Sequence, residues 1–118
     1  MFEASFQVVE VGVANVATLL LPELMDSQDI DRINDEMLQA ISAAPRKGWV
    51  FDLSSLSYMG SSALGLMVNL RQRIRELGGE LVLCNVSPQL SRILRTCCLE
   101  RLFEQARTRE DALRLLSQ

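Results

Sequence analysis

The stretch Trp49-Val50-Phe51-Asp52-Leu53-Ser54-Ser55-Leu56-Ser57-Tyr58-Met59-Gly60-Ser61-Ser62-Ala63-Leu64-Gly65 combines an apolar run, a polar loop and the beginning of a helix. The nearly continuous apolar character of residues 49–53 is typical of a strand buried on both faces of a parallel sheet. From Ser61 to Leu77 apolar residues recur at helical spacing on one face, which predicts a helix. The sequence therefore predicts a central strand, a polar loop and a helix in direct succession.

Strands and helices alternate on both sides of this segment. We predict strands at residues 6–11, 13–21, 80–84 and 103–106, a helix at residues 28–44, a helix beginning at Ser87-Pro88 and a helix at residues 108–116. Pro22 and the pair Gly78-Gly79 separate neighbouring elements. Strands that alternate with helices form parallel crossovers, which predicts an α/β sandwich. Its sheet is expected to be mixed and mostly parallel, with four to five strands, about four helices and residues 50–53 at the centre.

Length and composition indicate one globular domain spanning residues 1–118. The chain is 48% apolar and 23% charged, as globular proteins usually are. Its first residues lack the features of a signal peptide, and no apolar stretch approaches the roughly 20 residues that cross a bilayer. We therefore predict a cytoplasmic protein without a membrane span.

The three cysteines agree with a reducing compartment. Cys84, Cys97 and Cys98 are odd in number and two are adjacent, a pattern that suits neither a disulfide framework nor a zinc site. We expect them to be buried or half-buried small apolar residues.

Charge is distributed unevenly along the chain. Residues 1–45 carry eight acids and one base, a net charge of −7, whereas residues 46–118 carry seven acids and eleven bases, a net charge of +4. The arginines are spread over helical positions with no basic run and few aromatic residues, which argues against nucleic acid as a partner. The asymmetry could steer a charged protein partner, or it could be an ordinary solvated surface.

Residues for catalysis are largely missing. Histidine is absent, so the usual general base for a serine or cysteine nucleophile is absent too. We find no phosphate-binding glycine motif and no metal-ligand cluster in the sequence, and we predict neither enzymatic activity nor a cofactor. Asp52 stands at the end of a predicted parallel strand, where α/β folds bind ligands, but bonding to loop amides is the interpretation we favour.

The loop before the second predicted helix is the most informative place for function. Ser61 could act as the helix cap, accepting a hydrogen bond from a free backbone amide. Gly65 is harder to explain, because glycine inside a helix costs about 1 kcal/mol relative to alanine. It predicts a close approach by another backbone, either the neighbouring strand or a partner.

The residues quoted above resemble a known family. The segment Val50–Ser54, the segment Tyr58–Gly65 and the later segments Gly78–Val86 and Leu99–Phe103 resemble STAS domains of the anti-sigma factor antagonist type, and the element order is similar from about residue 6 to 116. The resemblance implies a STAS fold and a protein that binds an anti-sigma factor of the serine kinase type and so releases sigma factor.

The resemblance also implies a switch and an interface. Ser61 aligns with the serine that the kinase phosphorylates, and a serine phosphatase would reset it. The implied partner-binding residues are this serine and its neighbours in the chain: Ser57, Tyr58, Met59, Gly60, Ser61, Ser62, Ala63 and Gly65. Between the two hydroxyls we predict modification of Ser61, as an accessible capping residue, whereas Ser62 is expected to be shielded by the helix turn and the sheet edge.

The sequence departs from the family pattern at three places. Gly60 replaces an aspartate beside the serine, Pro22-Glu23-Leu24-Met25 replaces a G-x-L-D motif, and Cys98 replaces a glycine after the third helix. An alternative function therefore stays open: a STAS scaffold or accessory subunit that is not phosphorylated, in a stressosome-like assembly or beside a transport ATPase.

Overall fold

The computed structural model describes residues 3–22 and 25–117, so Glu23 and Leu24, which belong to one departure from the family pattern, lie outside the described residues. The strands are β1 (Ser5–Val11), β2 (Ala14–Leu20), β3 (Gly48–Asp52), β4 (Leu81–Cys84) and β5 (Glu104–Ala106). The helices are α1 (Ser27–Ser42), α2 (Ser61–Glu76), α3 (Pro88–Thr96) and α4 (Arg109–Leu116). The described residues thus form the predicted α/β fold with five strands and four helices.

β3 is the central strand of the sheet, as predicted. The strand order is β1-β2-β3-β4-β5, with β1 antiparallel to β2 and every other pair parallel. Trp49, Val50 and Phe51 are all at most 1% exposed, because a central strand with helices on both faces is shielded from water on either side. The apolar run at residues 49–53 therefore reflects this central position.

The helices cover the two faces of the sheet unequally. One core contains Leu19, Phe51 and Leu83 from the strands together with residues of α1, α2 and α3. A smaller core contains Val16, Val50, Val82 and Cys84 with Ala112 of α4. Because successive strand residues point to opposite faces, α1, α2 and α3 lie on one face and α4 lies on the other.

Side chains cap the beginnings of α1, α3 and α4, and α3 begins at Ser87-Pro88 as predicted. Asp26 caps α1 in a capping box with Asp29, and the Ser87 hydroxyl accepts a hydrogen bond from the Leu90 amide at 3.1 Å, with Pro88 beginning α3. Gly78, one of the two glycines after α2, has a positive φ of 83°. Local side-chain chemistry therefore determines where these helices begin and end.

The predicted burial of all three cysteines is wrong for two of them. Cys84 is buried, but Cys97 and Cys98 are exposed. α3 ends at Thr96, so Cys97 is its C-cap and Cys98, with a φ of 60°, is already in the turn. Cys97 and Cys98 therefore lie beyond the last helical residue of α3 and are not part of its buried face.

Candidate functional site

The loop between β3 and α2 leaves the sheet at the carboxyl end of the central strand. Leu53, Leu56 and Met59 are 1%, 4% and 3% exposed and belong to the larger core. The Leu53 amide donates to the carbonyl of Cys84 at 3.1 Å, and the Leu56 amide donates to the carbonyl of Leu53 at 3.0 Å. Three apolar side chains therefore hold this polar loop against the fold, while the residues between them face solvent.

Asp52 anchors the beginning of the loop from inside. Its Oδ1 accepts hydrogen bonds from the Ser54 amide at 3.0 Å and from Asn85 Nδ2 at 3.1 Å. Its Oδ2 accepts a bond from Arg109 Nη2 at 2.7 Å, and the same nitrogen of Arg109 donates to Thr18 Oγ1 at 3.2 Å. The contact with a loop amide agrees with the structural role favoured for Asp52.

The electrostatics of Asp52 follow from these contacts. Burial alone would raise the pKa of its carboxyl group, but the hydrogen bonds from Arg109, Ser54 and Asn85 favour the charged form more strongly, so the pKa lies below its ordinary value of 3.8. With its carboxylate bonded to three partners, Asp52 is a structural anion of the loop and the beginning of α4.

The beginning of α2 differs from the prediction at Ser61. Gly60 is the N-cap, with φ −77° and ψ 177°, and no side chain caps the helix. Ser61 is instead the first helical residue, because the Gly60 carbonyl accepts the first helical bond, from the Leu64 amide at 3.0 Å. The prediction that Ser61 caps the helix is therefore wrong. The N-cap of α2 is Gly60, one residue before the serine whose hydroxyl was expected to serve as the cap.

Ser61 and Ser62 are both open to solvent. Both are classed as exposed at the first turn of α2. The predicted shielding of Ser62 by the helix turn and the sheet edge is therefore wrong. Accessibility does not distinguish the two hydroxyls.

Five of the eight predicted partner-binding residues form an exposed surface, which we call the α2 N-terminal surface: Ser57, Tyr58, Ser61, Ser62 and Gly65. Gly60 lies among them and is half-buried. Met59 and Ala63, which are 3% and 5% exposed, lie in the core, and their side chains support the surface from below. A predicted direct contact with a partner does not fit these two side chains.

The α2 N-terminal surface carries no charge. Every residue from 53 to 70 is uncharged, between Asp52 and Arg71. Tyr58, 41% exposed, supplies the largest exposed side chain on this surface. Depletion of charge around an aromatic residue is typical of the central part of protein–protein interfaces.

Gly65 faces open space. A Cβ atom built on it would find no heavy atom within 4 Å, and the residue is exposed on α2. A neighbouring strand therefore does not explain the glycine, and that half of the prediction is wrong. The other half, close approach by a partner, stays a prediction.

Sequence reasoning missed Arg109 and Asn85 as partners of Asp52. Asn85 follows β4 with a φ of 57°, and Arg109 begins α4, 57 residues after Asp52 in the chain. The available signal was positional, because polar residues after neighbouring parallel strands meet at the same edge of the sheet. That rule would have found Asn85, but nothing local singles out Arg109 among the arginines.

The fold and the loop define the class of protein. The family model of the STAS domain matches residues 8–112, and the chain therefore belongs to the STAS domain family. In the described part of the chain no helix is both long and apolar enough to cross a membrane.

Several relatives are named as anti-sigma factor antagonists. The anti-sigma F factor antagonist of Paenibacillus polymyxa is 31% identical over 70 residues, which are 59% of this chain and 60% of that protein. The match therefore spans about three-fifths of that relative.

Solved structures extend the likeness over the whole fold. An anti-sigma-factor antagonist (STAS) domain protein from Planctomyces limnophilus has a TM-score of 0.82 at 23% identity, covering 96% of this chain and 98% of that one. The Bacillus cell fate determinant SpoIIAA in its phosphorylated form has a TM-score of 0.66 at 26% identity, covering 94% and 98%. SpoIIAA in its unphosphorylated form has a TM-score of 0.74 at 25% identity, covering 96% of each chain.

Proposed function

We propose that this chain is a cytoplasmic anti-sigma factor antagonist, a single STAS domain that binds an anti-sigma factor and thereby releases a sigma factor. The observation that carries the proposal is the uncharged, exposed α2 N-terminal surface in a fold whose relatives include proteins named anti-sigma factor antagonists. We further propose that the anti-sigma factor is a serine kinase that phosphorylates Ser61, and that a serine phosphatase reverses the modification. The domain itself acts by binding and not as an enzyme.

The position of Ser61 supports a switch by charge. A phosphate there adds about −1.5 to −2 charges at the first helical residue, where the dipole of α2 and its free amides favour an anion in the unbound protein. In an interface that excludes water the same charge must be desolvated against an uncharged surface. A penalty of about 3 kcal/mol weakens binding by more than 100-fold. Phosphorylation is therefore expected to release the partner.

Gly60 bears on the rate of this reaction. The family motif has a carboxylate at this position that could orient or deprotonate the acceptor hydroxyl, and glycine supplies none. We expect phosphoryl transfer to be slow in the natural chain. A chain that is never phosphorylated would instead be a constitutive scaffold, and Gly60 is the observation that favours this second function.

Capture of partners from a lysate of the native organism separates the two functions. Recovery of a sigma-pathway kinase supports the antagonist, whereas recovery of stressosome components or a transport ATPase supports the scaffold. With the captured kinase in hand, Ser61→Glu is expected to weaken binding by more than 100-fold, while the matched Ser61→Ala, which removes the hydroxyl without adding charge, keeps it within a few-fold. Equal affinity of the two variants would contradict the proposed switch.

The modified residue is identified by mass spectrometry after incubation with the kinase and ATP. Phosphate on Ser61, lost in Ser61→Ala and retained in Ser62→Ala, is the expected result. Phosphate on Ser62 would overturn the assignment of the residue. No phosphate on either serine would favour the constitutive scaffold.

A further inference from the structure

The two edges of the sheet differ in length and protection. β5, at one edge, has three residues, whereas β1, at the other, has seven. β1 pairs with β2 one residue to one over its whole length, without a bulge, and contains no proline. Its last five residues are all exposed, including Val8 at 40% and Val9 at 54%. A long, regular, apolar edge strand is a template for pairing with another strand.

The hairpin determines which backbone groups of β1 are free. Val11 and Ala14 are paired across the two-residue turn Gly12-Val13, and residues that flank such a turn exchange hydrogen bonds with each other. Hydrogen-bonded and non-bonded pairs alternate along an antiparallel ladder. The odd-numbered residues of β1 therefore bond to β2, and the amide and carbonyl groups of Phe6, Val8 and Glu10 point away from the sheet.

This spacing is complementary to itself. When two copies of β1 run antiparallel about a two-fold axis at Val8, Val8 faces Val8 of the second copy and Phe6 faces Glu10 of the second copy. Each of these pairs has free groups on both sides and can exchange two hydrogen bonds. We propose that β1 is a homodimerisation strand that joins two copies of this chain into a continuous ten-stranded sheet through the Phe6–Glu10 segment.

Side chains agree with a second copy as the occupant. Glu10 is the only charged residue of β1, and in this register it faces Phe6 of the other copy, so that the two Glu10 carboxylates do not oppose each other. The guanidinium of Arg32, on α1, reaches the residue before β1, because its Nη2 donates to the Ala4 carbonyl at 2.5 Å. Within each copy Glu10 lies 3.6 Å from Lys47 Nζ and Arg32 lies 3.2 Å from Glu36, and the pairing brings Arg32 of the other copy towards Glu10 as well, twice by symmetry. The symmetric spacing of the free backbone groups, with no like charges directly opposed, therefore selects a second copy as the occupant.

The proposed interface is small and separate from the α2 N-terminal surface. It lies two strands away from β3, so a dimer leaves the surface at the beginning of α2 accessible in both copies. An interface of five paired residues on each copy buries much less surface than the roughly 1,600 Å² of a standard interface. The dimer is therefore weak and forms at high protein concentration.

Sedimentation equilibrium of the full chain over a range of concentrations tests the proposal. The natural chain is expected to show a reversible monomer–dimer equilibrium. Val8→Lys, which places two ammonium groups at the axis in place of two valines, weakens it about tenfold. The matched control Val13→Lys changes a valine that is 63% exposed but lies in the turn beyond the paired segment, and it leaves the equilibrium unchanged.

Exchanging the charges of Glu10 and Arg32 tests the register in which the two copies of β1 pair. Glu10→Arg and Arg32→Glu each weaken dimerisation, and the double variant restores it towards the natural value, because the contact between copies is rebuilt with opposite sign. Circular dichroism and the Tm of each variant show whether it remains folded. Failure of the double variant to recover would contradict this register.

Amide hydrogen exchange supplies a measurement without any substitution. The amides of Phe6, Val8 and Glu10 are expected to exchange more slowly as the protein concentration rises, while the odd-numbered amides of β1 are protected at every concentration. A chain that stays monomeric, or concentration-dependent protection that maps to another element, would overturn the proposal. Neither result would affect the proposed binding of an anti-sigma factor.

Discussion

Replacing Gly65 by alanine should make the domain more stable and its partner complex weaker. Gly65 is the fifth residue of α2, its φ is outside the left-handed region, and an added Cβ meets nothing within 4 Å. Without strain or clash, the change recovers the cost of a helical glycine, about 0.5–1 kcal/mol.

The expected rise in Tm follows from the size of the chain. For 118 residues, an unfolding entropy of about 2.1 cal/mol/K per residue gives about 0.25 kcal/mol/K for the whole domain. A gain of about 0.5–1 kcal/mol therefore raises the Tm by roughly 2–4 °C. Differential scanning calorimetry resolves a shift of this size.

Binding should change in the opposite direction. If a partner backbone approaches Gly65, the added methyl group overpacks the interface at a cost of about 1–3 kcal/mol, which is a loss of roughly 5- to 150-fold in affinity. Isothermal titration calorimetry with the captured anti-sigma factor measures this loss. Because the variant is more stable than the natural chain, unfolding cannot account for the weaker binding.

Gly79→Ala provides the matched control for stability. A Cβ on Gly79 would clash with the backbone carbonyl oxygen of Lys47, so the same substitution should lower the Tm there. A Tm that falls in Gly65→Ala would refute the assignment of open space at this position. Unchanged affinity in a stabilised Gly65→Ala variant would refute close approach by the partner.

Four further predictions concern the loop, its supports and the cysteines. Gly60→Asp should raise the unfolding free energy by a few tenths of a kcal/mol, because aspartate can cap α2, and should speed phosphorylation of the chain by its kinase; equal rates would contradict the role given to the missing carboxylate. Arg109→Ala should cost about 1–3 kcal/mol in chemical denaturation, because it leaves the buried carboxylate of Asp52 without its cation. Since the pKa of Asp52 is lowered, its stabilising effect is complete above pH 3.8 and is lost as the pH falls through its folded-state pKa, so the stability difference between the natural chain and Asp52→Asn should shrink in acid. Burial, with a smaller effect from the Asp52 charge, raises the pKa of Cys84 to about 12, so a thiol reagent at neutral pH should label the two exposed cysteines of the native chain and all three after denaturation.

The elements of the fold could be predicted because their causes are local. The apolar run at 49–53, the helical spacing in α2 and the Ser87-Pro88 helix start each depend on residues a few positions apart. Gly78 could likewise be assigned a positive φ from its place after a helix. The loop that connects β3 and α2 could be identified as the informative segment for the same reason.

Details of the site needed the tertiary structure. The residue at which a helix begins depends on backbone angles. The hydroxyl of Ser61 suggested that Ser61 would be the N-cap, but Gly60 adopts the extended N-cap conformation. Whether Gly65 faced a strand or open space depended on how α2 lies on the sheet. Periodicity indicates which face of a helix is apolar, but it does not say where the helix ends or what lies opposite its polar face.

By itself, the sequence determined the alternation of strands and helices, the central position of β3 and the polar loop before α2, because each follows from consecutive residues. Only the tertiary structure decided that Asp52 bonds to Arg109, that Met59 supports the surface from the core, and that β1 is an exposed edge. These are relations between residues that are distant in the chain, and they arise when the sheet orders its strands and brings α4 against one face.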